Sequence, residues 1–280
     1  MKNTLFLGLL LLLLSVQSYA VQVKLTMPNG LVANANYTKG NPDKPAVFLL
    51  HGFLQTYSFS TINRLSDSLS AEGYSVFSPT LTLGIPDRKQ SLACEALHDH
   101  TMEDGQVEID EWVKWLNKKG HKEIVLMGHS QGSTSLLSYL ANKTNKAISK
   151  FIAVSILQVN MSEDKDENKR LTKMLEQKIS ETPRMPFTRK LSFCIKYLGT
   201  PRSFYSYQSW STEKILKEIK ALNDPLRIIM GGGDNRIRKN WIKELKSTGK
   251  PVSVIEGANH FMDGFNEFDL LELVLEELDK

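Results

Sequence analysis

The feature that most constrains the fold of this chain is a Gly-His-Ser-Gln-Gly sequence at residues 128–132. The apolar run before it, residues 123–127, has the composition of a short buried strand, and residues 133–141 carry leucines at helical spacing. A G-x-S-x-G sequence between a strand and a helix is typical of a nucleophile elbow, a strained turn that exposes the serine hydroxyl. Gly128 and Gly132 are then required because neighbouring backbone comes too close for side chains. An ordinary turn whose serine caps the helix is the alternative.

Strands and helices alternate along most of the remaining sequence. The unbroken apolar run at residues 46–50 predicts a strand buried on both faces, and the mainly apolar segments 151–157 and 226–230 predict two further strands. Amphipathic segments between these runs predict helices. The pattern therefore indicates an α/β fold with a mostly parallel central sheet covered by helices on both faces. A chain of 280 residues suits one such domain.

Reactive side chains follow four of the predicted strands, at His51, Ser130, Asp234 and His260. Because the carboxyl ends of parallel strands lie at one edge of a sheet, we expect these side chains to lie close together. The chain resembles the α/β-hydrolase superfamily over residues 45–280, through His-Gly-Phe, Gly-His-Ser-Gln-Gly, Gly-Gly-Gly-Asp and Asn-His-Phe in that order. Esterases, lipases, thioesterases and acyl-peptide hydrolases share these motifs, so no subfamily is identified.

The resemblance implies a catalytic triad of Ser130, His260 and Asp234. A serine hydroxyl is a poor nucleophile at neutral pH and needs a base within hydrogen-bond reach, which is the role expected of His260. Asp234 would orient His260 and stabilise its protonated form. Asp164, which follows the preceding core strand, is the alternative acid.

Two backbone N–H groups are expected to stabilise the negative oxygen of the reaction intermediate. The residue after the nucleophile supplies one, from Gln131, and the resemblance assigns the other to Phe53. His51 is expected to fix the loop that contains Phe53. His129 is expected to point away from the substrate.

His98 and His100 form an H-x-H pair close to Cys94. The spacing is not specific for a metal, and no H-E-x-x-H pattern accompanies it, so a loop bordering the cleft is favoured. We expect no metal and no cofactor. Cys94 and Cys194 are either a disulfide, which an oxidising compartment would favour, or two separate buried thiols.

Residues 1–20 have the features of a signal peptide. A lysine precedes a continuous apolar core, and Ser18-Tyr19-Ala20 places small residues where a signal peptidase cleaves. A membrane helix needs about 20 apolar residues, and this run is shorter. We therefore expect an exported protein, periplasmic or extracellular, whose hydrolase domain is residues 21–280 and which keeps no transmembrane anchor after cleavage.

The overall charge gives no support to nucleic-acid binding. The formal net charge is +4, the apolar and charged fractions are 41% and 24%, and no basic block with interleaved aromatic residues is present. The expected partner is a small-molecule or lipid-like acyl substrate. Nothing in the sequence indicates the oligomeric state.

Residues 159–210 interrupt the alternation of strands and helices. Two amphipathic segments predict two helices, and their position between two core strands favours a helical cap over the active site, with packing on the core surface as the alternative. In a cap, their apolar residues would line an acyl pocket and stay partly exposed: Leu171, Met174, Leu175, Ile179, Leu191, Ile195 and Leu198.

The sequence thus predicts an exported serine hydrolase that cleaves an ester or related acyl bond through a covalent acyl-enzyme. Acyl transfer and peptide hydrolysis use the same groups and remain alternatives. A further alternative is that the protein is not an enzyme but a non-catalytic binding protein with this fold.

Overall fold

The computed structural model describes residues 19–162, 164–223 and 225–280. The signal peptide predicted for residues 1–20 therefore lies, apart from its last two positions, outside the described residues. The remainder forms a mostly parallel eight-stranded sheet with helices on both faces, so the predicted α/β fold class is confirmed.

The strands of the main sheet are short, as expected for buried strands of an α/β domain. They are β1 (Val21–Thr26), β2 (Val32–Thr38), β3 (Ala46–Leu50), β4 (Ser75–Thr80), β5 (Ile124–His129), β6 (Ile148–Val154), β9 (Leu226–Gly231) and β10 (Val252–Ile255). Their spatial order is β1-β2-β4-β3-β5-β6-β9-β10. β2 pairs antiparallel with both β1 and β4, and every pairing from β4 onward is parallel.

Eight helices connect or follow these strands in the described part of the chain. They are α1 (Ser60–Ala71), α2 (Met102–Lys118), α3 (Gln131–Leu140), α4 (Lys165–Glu181), α5 (Pro201–Gln208), α6 (Thr212–Ala221), α7 (Trp241–Lys246) and α8 (Asn266–Leu278). α1 and α8 pack on one face of the sheet, and α2, α3, α6 and α7 pack on the other.

Alternation along the central strands divides the core into two layers. In β3, Val47 and Leu49 pack with α1 and α8, while Phe48 and Leu50 pack with the helices on the opposite face. All four side chains are fully buried. Side chains of successive strand residues point to opposite faces, so a strand covered on both sides reads as an unbroken apolar run.

The insertion at residues 159–210 contains a hairpin where the sequence analysis predicted a second helix. α4 is the first predicted helix, but β7 (Phe187–Leu191) and β8 (Cys194–Gly199) then pair antiparallel, and α5 follows. Ser192 adopts a left-handed backbone conformation with φ 53°, which helical residues do not take, and so divides the segment into two short strands. The predicted fully helical composition of this insertion is therefore wrong.

The long irregular segment after β4 is fixed against this hairpin. Cys94 and Cys194 are joined by a disulfide, with their Cα atoms 5.5 Å apart. The backbone N–H of His98 donates to the carbonyl of Leu198 (2.9 Å), and the N–H of Leu198 donates to the carbonyl of Cys94 (3.1 Å). The segment containing Cys94 and His98 therefore runs beside β8 and connects the insertion to the main domain.

Across the ranges that the structure describes, no helix is both long and apolar enough to cross a membrane.

Candidate active site

Ser130 lies on the sharp turn between β5 and α3. Its backbone has φ 59° and ψ −125°, a strained conformation for a non-glycine residue. A Cβ on Gly128 would lie 2.5 Å from the backbone nitrogen of Ser133, and a Cβ on Gly132 would lie 2.5 Å from the carbonyl oxygen of Leu50. Such distances are not tolerated, so both positions require glycine. The Ser130 side chain makes no capping hydrogen bond, which argues against the helix-cap interpretation.

The structure brings Ser130, His260 and Asp234 into one hydrogen-bonded chain. The Ser130 Oγ lies 2.8 Å from His260 Nε2, and His260 Nδ1 lies 2.7 Å from Asp234 Oδ2. With the proton on Nδ1, His260 donates to the carboxylate and accepts from the serine hydroxyl. All three residues are buried, and the Asp234 side chain is fully shielded from solvent. Such an arrangement can activate a serine as a nucleophile.

Asp164, the alternative acid, has a different position. It is exposed and precedes α4, where its Oδ1 accepts a hydrogen bond from the backbone N–H of Glu167 (2.7 Å). This is a helix N-cap, a common role for aspartate. No hydrogen bond among the described residues joins Asp164 to His260, whereas Asp234 makes that contact.

His129 and His51 support the loops around this site. His129 Nε2 donates to the backbone carbonyl of His260 (2.9 Å), and its ring faces the His260 loop and not Ser130 Oγ. His51 Nδ1 donates to the carbonyl of Gly52 (2.8 Å), and its Nε2 accepts from the N–H of Leu81 (3.1 Å). Burial lowers the pKa of each histidine to about 3, so both are neutral at physiological pH.

The backbone N–H groups of Phe53 and Gln131 are free to donate hydrogen bonds to a negatively charged oxygen. Within the part of the chain that the structure describes, neither N–H donates a hydrogen bond. Gln131 is the first residue of α3, so its N–H also lies at the positive end of the helix dipole. Free backbone donors of this kind are the groups from which oxyanion holes are built.

Arg88 is a supporting residue that the sequence analysis missed. Its buried guanidinium donates to the carbonyls of Leu54 (3.3 Å) and Gln55 (2.6 Å), directly after Phe53. It also donates to the carbonyls of Leu81 (2.9 Å) and Gln90 (2.9 Å). Leu54 has a left-handed backbone with φ 60°, which the surrounding contacts must stabilise. The acceptors are all main-chain oxygens, so no side-chain pattern could have indicated this role.

His98 and His100 pack against each other and against aromatic rings. Their rings lie 5.3 Å apart and are nearly perpendicular, and His98 stacks on Tyr197 at 4.4 Å. His98 Nε2 donates to the carbonyl of Ala93 (3.0 Å). Among the residues described, no group of three or more histidine, cysteine or acidic side chains is arranged to hold a metal ion.

Ser130 and His260 line a pocket of about 400 Å³. Phe53 and Phe261 form part of its apolar wall. Ser192 and Phe193, at the hairpin turn of the insertion, also line it. None of the seven apolar residues that the sequence analysis predicted for a pocket lined by the insertion lies along this pocket.

Three of those predicted pocket residues, Leu171, Leu175 and Leu191, are buried in the core instead. Ile195 is 80% exposed and does not line the pocket. The expectation of a pocket lined by these side chains is wrong, because amphipathic periodicity identifies a buried face without indicating what covers it.

Comparison with known proteins identifies the family from sequence. The profile of a family described as a protein of unknown function, DUF1749, matches residues 15–192. The chain belongs to the DUF1749 family. The match includes Ser130 and Phe53 and ends before Asp234 and His260. The DUF1749 chain has no significant match among curated proteins.

Solved structures match the DUF1749 chain over most of its length. Est1E from Butyrivibrio proteoclasticus has 17% identity and a TM-score of 0.65, covering 93% of this chain and 99% of its own. The α/β hydrolase GrgF from Penicillium sp. sh18 has 13% identity and a TM-score of 0.69, covering 93% and 97%. A soluble variant of monoglyceride lipase from Saccharomyces cerevisiae has 18% identity and a TM-score of 0.59, covering 88% and 92%. The predicted α/β-hydrolase fold is thereby confirmed.

Proposed function

We propose that this protein is an exported serine hydrolase that cleaves an ester or related acyl bond through a covalent acyl-enzyme. The observation that carries the proposal is the hydrogen-bonded chain from Ser130 through His260 to Asp234. Its serine end lies in a pocket of about 400 Å³. A pocket of this size suits a small-molecule substrate. The hydrolases among the structural neighbours support the same reaction class.

In the first half of the proposed reaction, Ser130 Oγ attacks the carbonyl carbon of the substrate. His260 Nε2 takes the hydroxyl proton, and Asp234 stabilises the resulting imidazolium. The N–H groups of Phe53 and Gln131 stabilise the negative oxygen, each contributing about 3 kcal/mol to the transition state. His260 then gives its proton to the departing alcohol, which leaves an ester on Ser130.

In the second half, a water molecule replaces the alcohol. His260 accepts a proton from the water as its oxygen attacks the acyl carbon, and the same N–H groups stabilise the second oxyanion. The proton returns to Ser130 Oγ as the carboxylic acid leaves. The enzyme ends in its starting protonation state.

Export is supported by two features from different parts of the chain. Residues 1–20 have the pattern of a signal peptide, and Cys94 and Cys194 are joined by a disulfide. Disulfides persist mainly in oxidising compartments. The secreted protein should therefore begin at Val21, which mass measurement of the intact protein checks. A mature chain that keeps residues 1–20 would contradict export by signal cleavage.

We further propose that the insertion, residues 159–210, acts as a cap through its hairpin. Phe193 at the hairpin turn contacts Phe53 edge-to-face, with ring centroids 5.8 Å apart. Phe193 is 51% exposed and lines the pocket, as does Ser192 beside it. The hairpin turn therefore covers the pocket next to one proposed oxyanion donor.

The proposed nucleophile is tested by labelling with a fluorophosphonate. We expect one label per molecule, located at Ser130 by peptide mapping, and no label on Ser130→Ala. Ser138→Ala is a matched control, since Ser138 is a buried serine of α3 that donates to the carbonyl of Ser135 and not to a histidine. Equal labelling of wild type and Ser130→Ala would overturn the assignment.

A further inference from the structure

We propose that the pocket recognises esters that carry a carboxylate, with Arg236 as the main binding residue and Lys190 as a second cation. This inference rests on the proposed hydrolase function and adds the substrate class. It comes from the charged side chains around the pocket. The motifs that define the fold do not determine which charges lie there.

The pocket has basic side chains without acidic ones to balance them. Lys190, Arg236 and Arg238 line it, and no aspartate or glutamate does. Arg238 is neutralised by an ion pair with Glu244. Among the residues that the structure describes, neither Lys190 nor Arg236 forms an ion pair. Both side chains are exposed, and neither is paired with a carboxylate, so two cations are available to a ligand at the pocket that contains Ser130.

Arg236 is positioned by aromatic rings and not by hydrogen bonds to its side chain. Its guanidinium carbon lies 4.8 Å from the ring centroid of Phe261 and 5.3 Å from that of Phe193. Phe261 follows His260 directly, and Phe193 is at the hairpin turn. The backbone N–H of Arg236 donates to Asp234 Oδ1 (2.8 Å), which places Arg236 beside the proposed triad.

The guanidinium keeps its hydrogen-bond donors available. No hydrogen bond from the Arg236 side chain is made to any residue in the described ranges, so its N–H groups are free for a ligand. Cation–π contact restrains a guanidinium through its faces and leaves the in-plane N–H groups at its edge unused. The restraint lowers the entropy lost when a ligand binds.

A carboxylate fits these donors better than an apolar chain does. Two coplanar carboxylate oxygens match two parallel N–H groups of a guanidinium, and a charge-assisted pair of this kind is stronger than neutral hydrogen bonds. A purely apolar acyl chain would make no use of these donors, which stay solvated because Arg236 is exposed.

The first measurement compares esters that differ only in charge. The acyl-side pair is the mono-4-nitrophenyl ester of adipic acid and its methyl ester, and the alcohol-side pair is 4-acetoxybenzoate and its methyl ester. We expect kcat/KM to favour the charged member of at least one pair by about 10- to 100-fold at low salt. The preference should fall as ionic strength rises, because salt screens the interaction.

Variants then assign the preference to named residues. Arg236→Gln should reduce the charged-to-neutral ratio to near one, and Lys190→Gln should reduce it less, since a lysine acts as a single point charge. Lys239→Gln is the matched control, because Lys239 is an exposed cation nearby that does not line the pocket. An unchanged ratio in Arg236→Gln would overturn the proposal.

Binding to a protein that cannot turn over separates this inference from the proposed function. In Ser130→Ala, calorimetry should show the charged ester binding at least about tenfold tighter than the methyl ester. Adding Arg236→Gln should abolish the difference. Equal affinity in Ser130→Ala would overturn the carboxylate site even if wild type hydrolyses esters. Tight charged-ester binding without hydrolysis by wild type would overturn the hydrolase function and support the anion site.

Discussion

At the scale of single residues, the two candidate acids differ in their hydrogen-bond partners. Asp234 accepts from His260 Nδ1 (2.7 Å), while Asp164 accepts from the backbone at the start of α4. Asp234→Asn should lower kcat by roughly 10⁴-fold, because an amide favours the wrong histidine tautomer. Asp164→Asn should leave kcat unchanged, since asparagine is also a good N-cap. Ester-hydrolysis kinetics of the two purified variants check this, and the reverse ranking would contradict the acid assignment.

Arg88 allows a second prediction at this scale. Its hydrogen bonds to the carbonyls of Leu54 and Gln55 hold the loop that carries the Phe53 N–H. Arg88→Met should therefore displace one oxyanion donor and lower kcat by about 100-fold, with a much smaller change in KM. Steady-state kinetics on a protein shown to be folded by circular dichroism make the measurement.

The neighbouring Lys89→Met is the control, because Lys89 is exposed and pairs with Asp87 (3.7 Å) on the surface. It should match wild type. If Arg88→Met lost stability but kept kcat, Arg88 would have only a structural role.

At the scale of elements, the insertion shows where periodicity misleads. Residues 187–198 contain apolar residues at intervals that suit a helix, but Ser192 in a left-handed conformation and the antiparallel pairing of β7 with β8 produce a hairpin. The hairpin is further fixed by the disulfide at Cys194 and by pairing with the segment around His98. These contacts join residues about 100 positions apart in sequence, so local spacing could not indicate them.

The insertion also allows a prediction that distinguishes its residues buried in the core from its residues that line the pocket. Leu175 and Leu191 are fully buried, so Leu175→Ala and Leu191→Ala should each cost roughly 2–5 kcal/mol of unfolding free energy without changing ester preference. Phe193→Ala should do the opposite, because Phe193 is half-exposed and lines the pocket. Denaturant unfolding and a panel of esters of graded chain length measure both effects. A changed chain-length preference in Leu175→Ala would contradict this division.

At the scale of the whole molecule, much of the fold could be predicted because the local sequence patterns agree with the overall strand order. The apolar runs, the glycines of the elbow and the order of Ser130, Asp234 and His260 all belong to strand ends at one edge of a parallel sheet. Arg88 and Arg236 could not be predicted in the same way. Arg88 binds main-chain oxygens, and Arg236 rests on aromatic rings from two distant loops, so neither leaves a pattern in the sequence.

Buried titratable groups make the stability of the whole molecule depend on pH. Burial lowers the pKa of His51, His100 and His129 to about 3, whereas an unfolded histidine titrates near 6.5. As the pH falls from about 6.5 towards 3, the unfolded chain binds three protons that the folded chain does not bind. Stability contributed by these neutral histidines is therefore present above pH 6.5 and is lost over that range.

Glu108 opposes part of this loss. Burial raises its pKa to about 7, so between pH 7 and its unfolded value the folded chain holds a proton that the unfolded chain has released. For these four groups the net difference near pH 5 is two protons, and they contribute a fall in unfolding free energy of roughly 3 kcal/mol per pH unit as the pH is lowered. Urea unfolding at pH 4.5, 5.0 and 5.5 tests this slope.

His100→Phe should reduce the slope by about 1.4 kcal/mol per pH unit while keeping the ring contacts, because it removes one of these histidines. Neither ring nitrogen of His100 has a hydrogen-bond partner among the described residues, so the change removes no such bond. An unchanged slope would show that His100 does not titrate as its burial indicates.

The central claim, a covalent intermediate on Ser130, is tested most directly by mixing the protein with 4-nitrophenyl acetate and quenching in acid within the first turnover. Intact-mass measurement should then show one added acetyl group, and peptide mapping should place it on Ser130. His260→Ala should show almost none, because the serine hydroxyl would lack its base. Hydrolysis that proceeds with no acylated protein, or an acetyl group on another residue, would contradict the account.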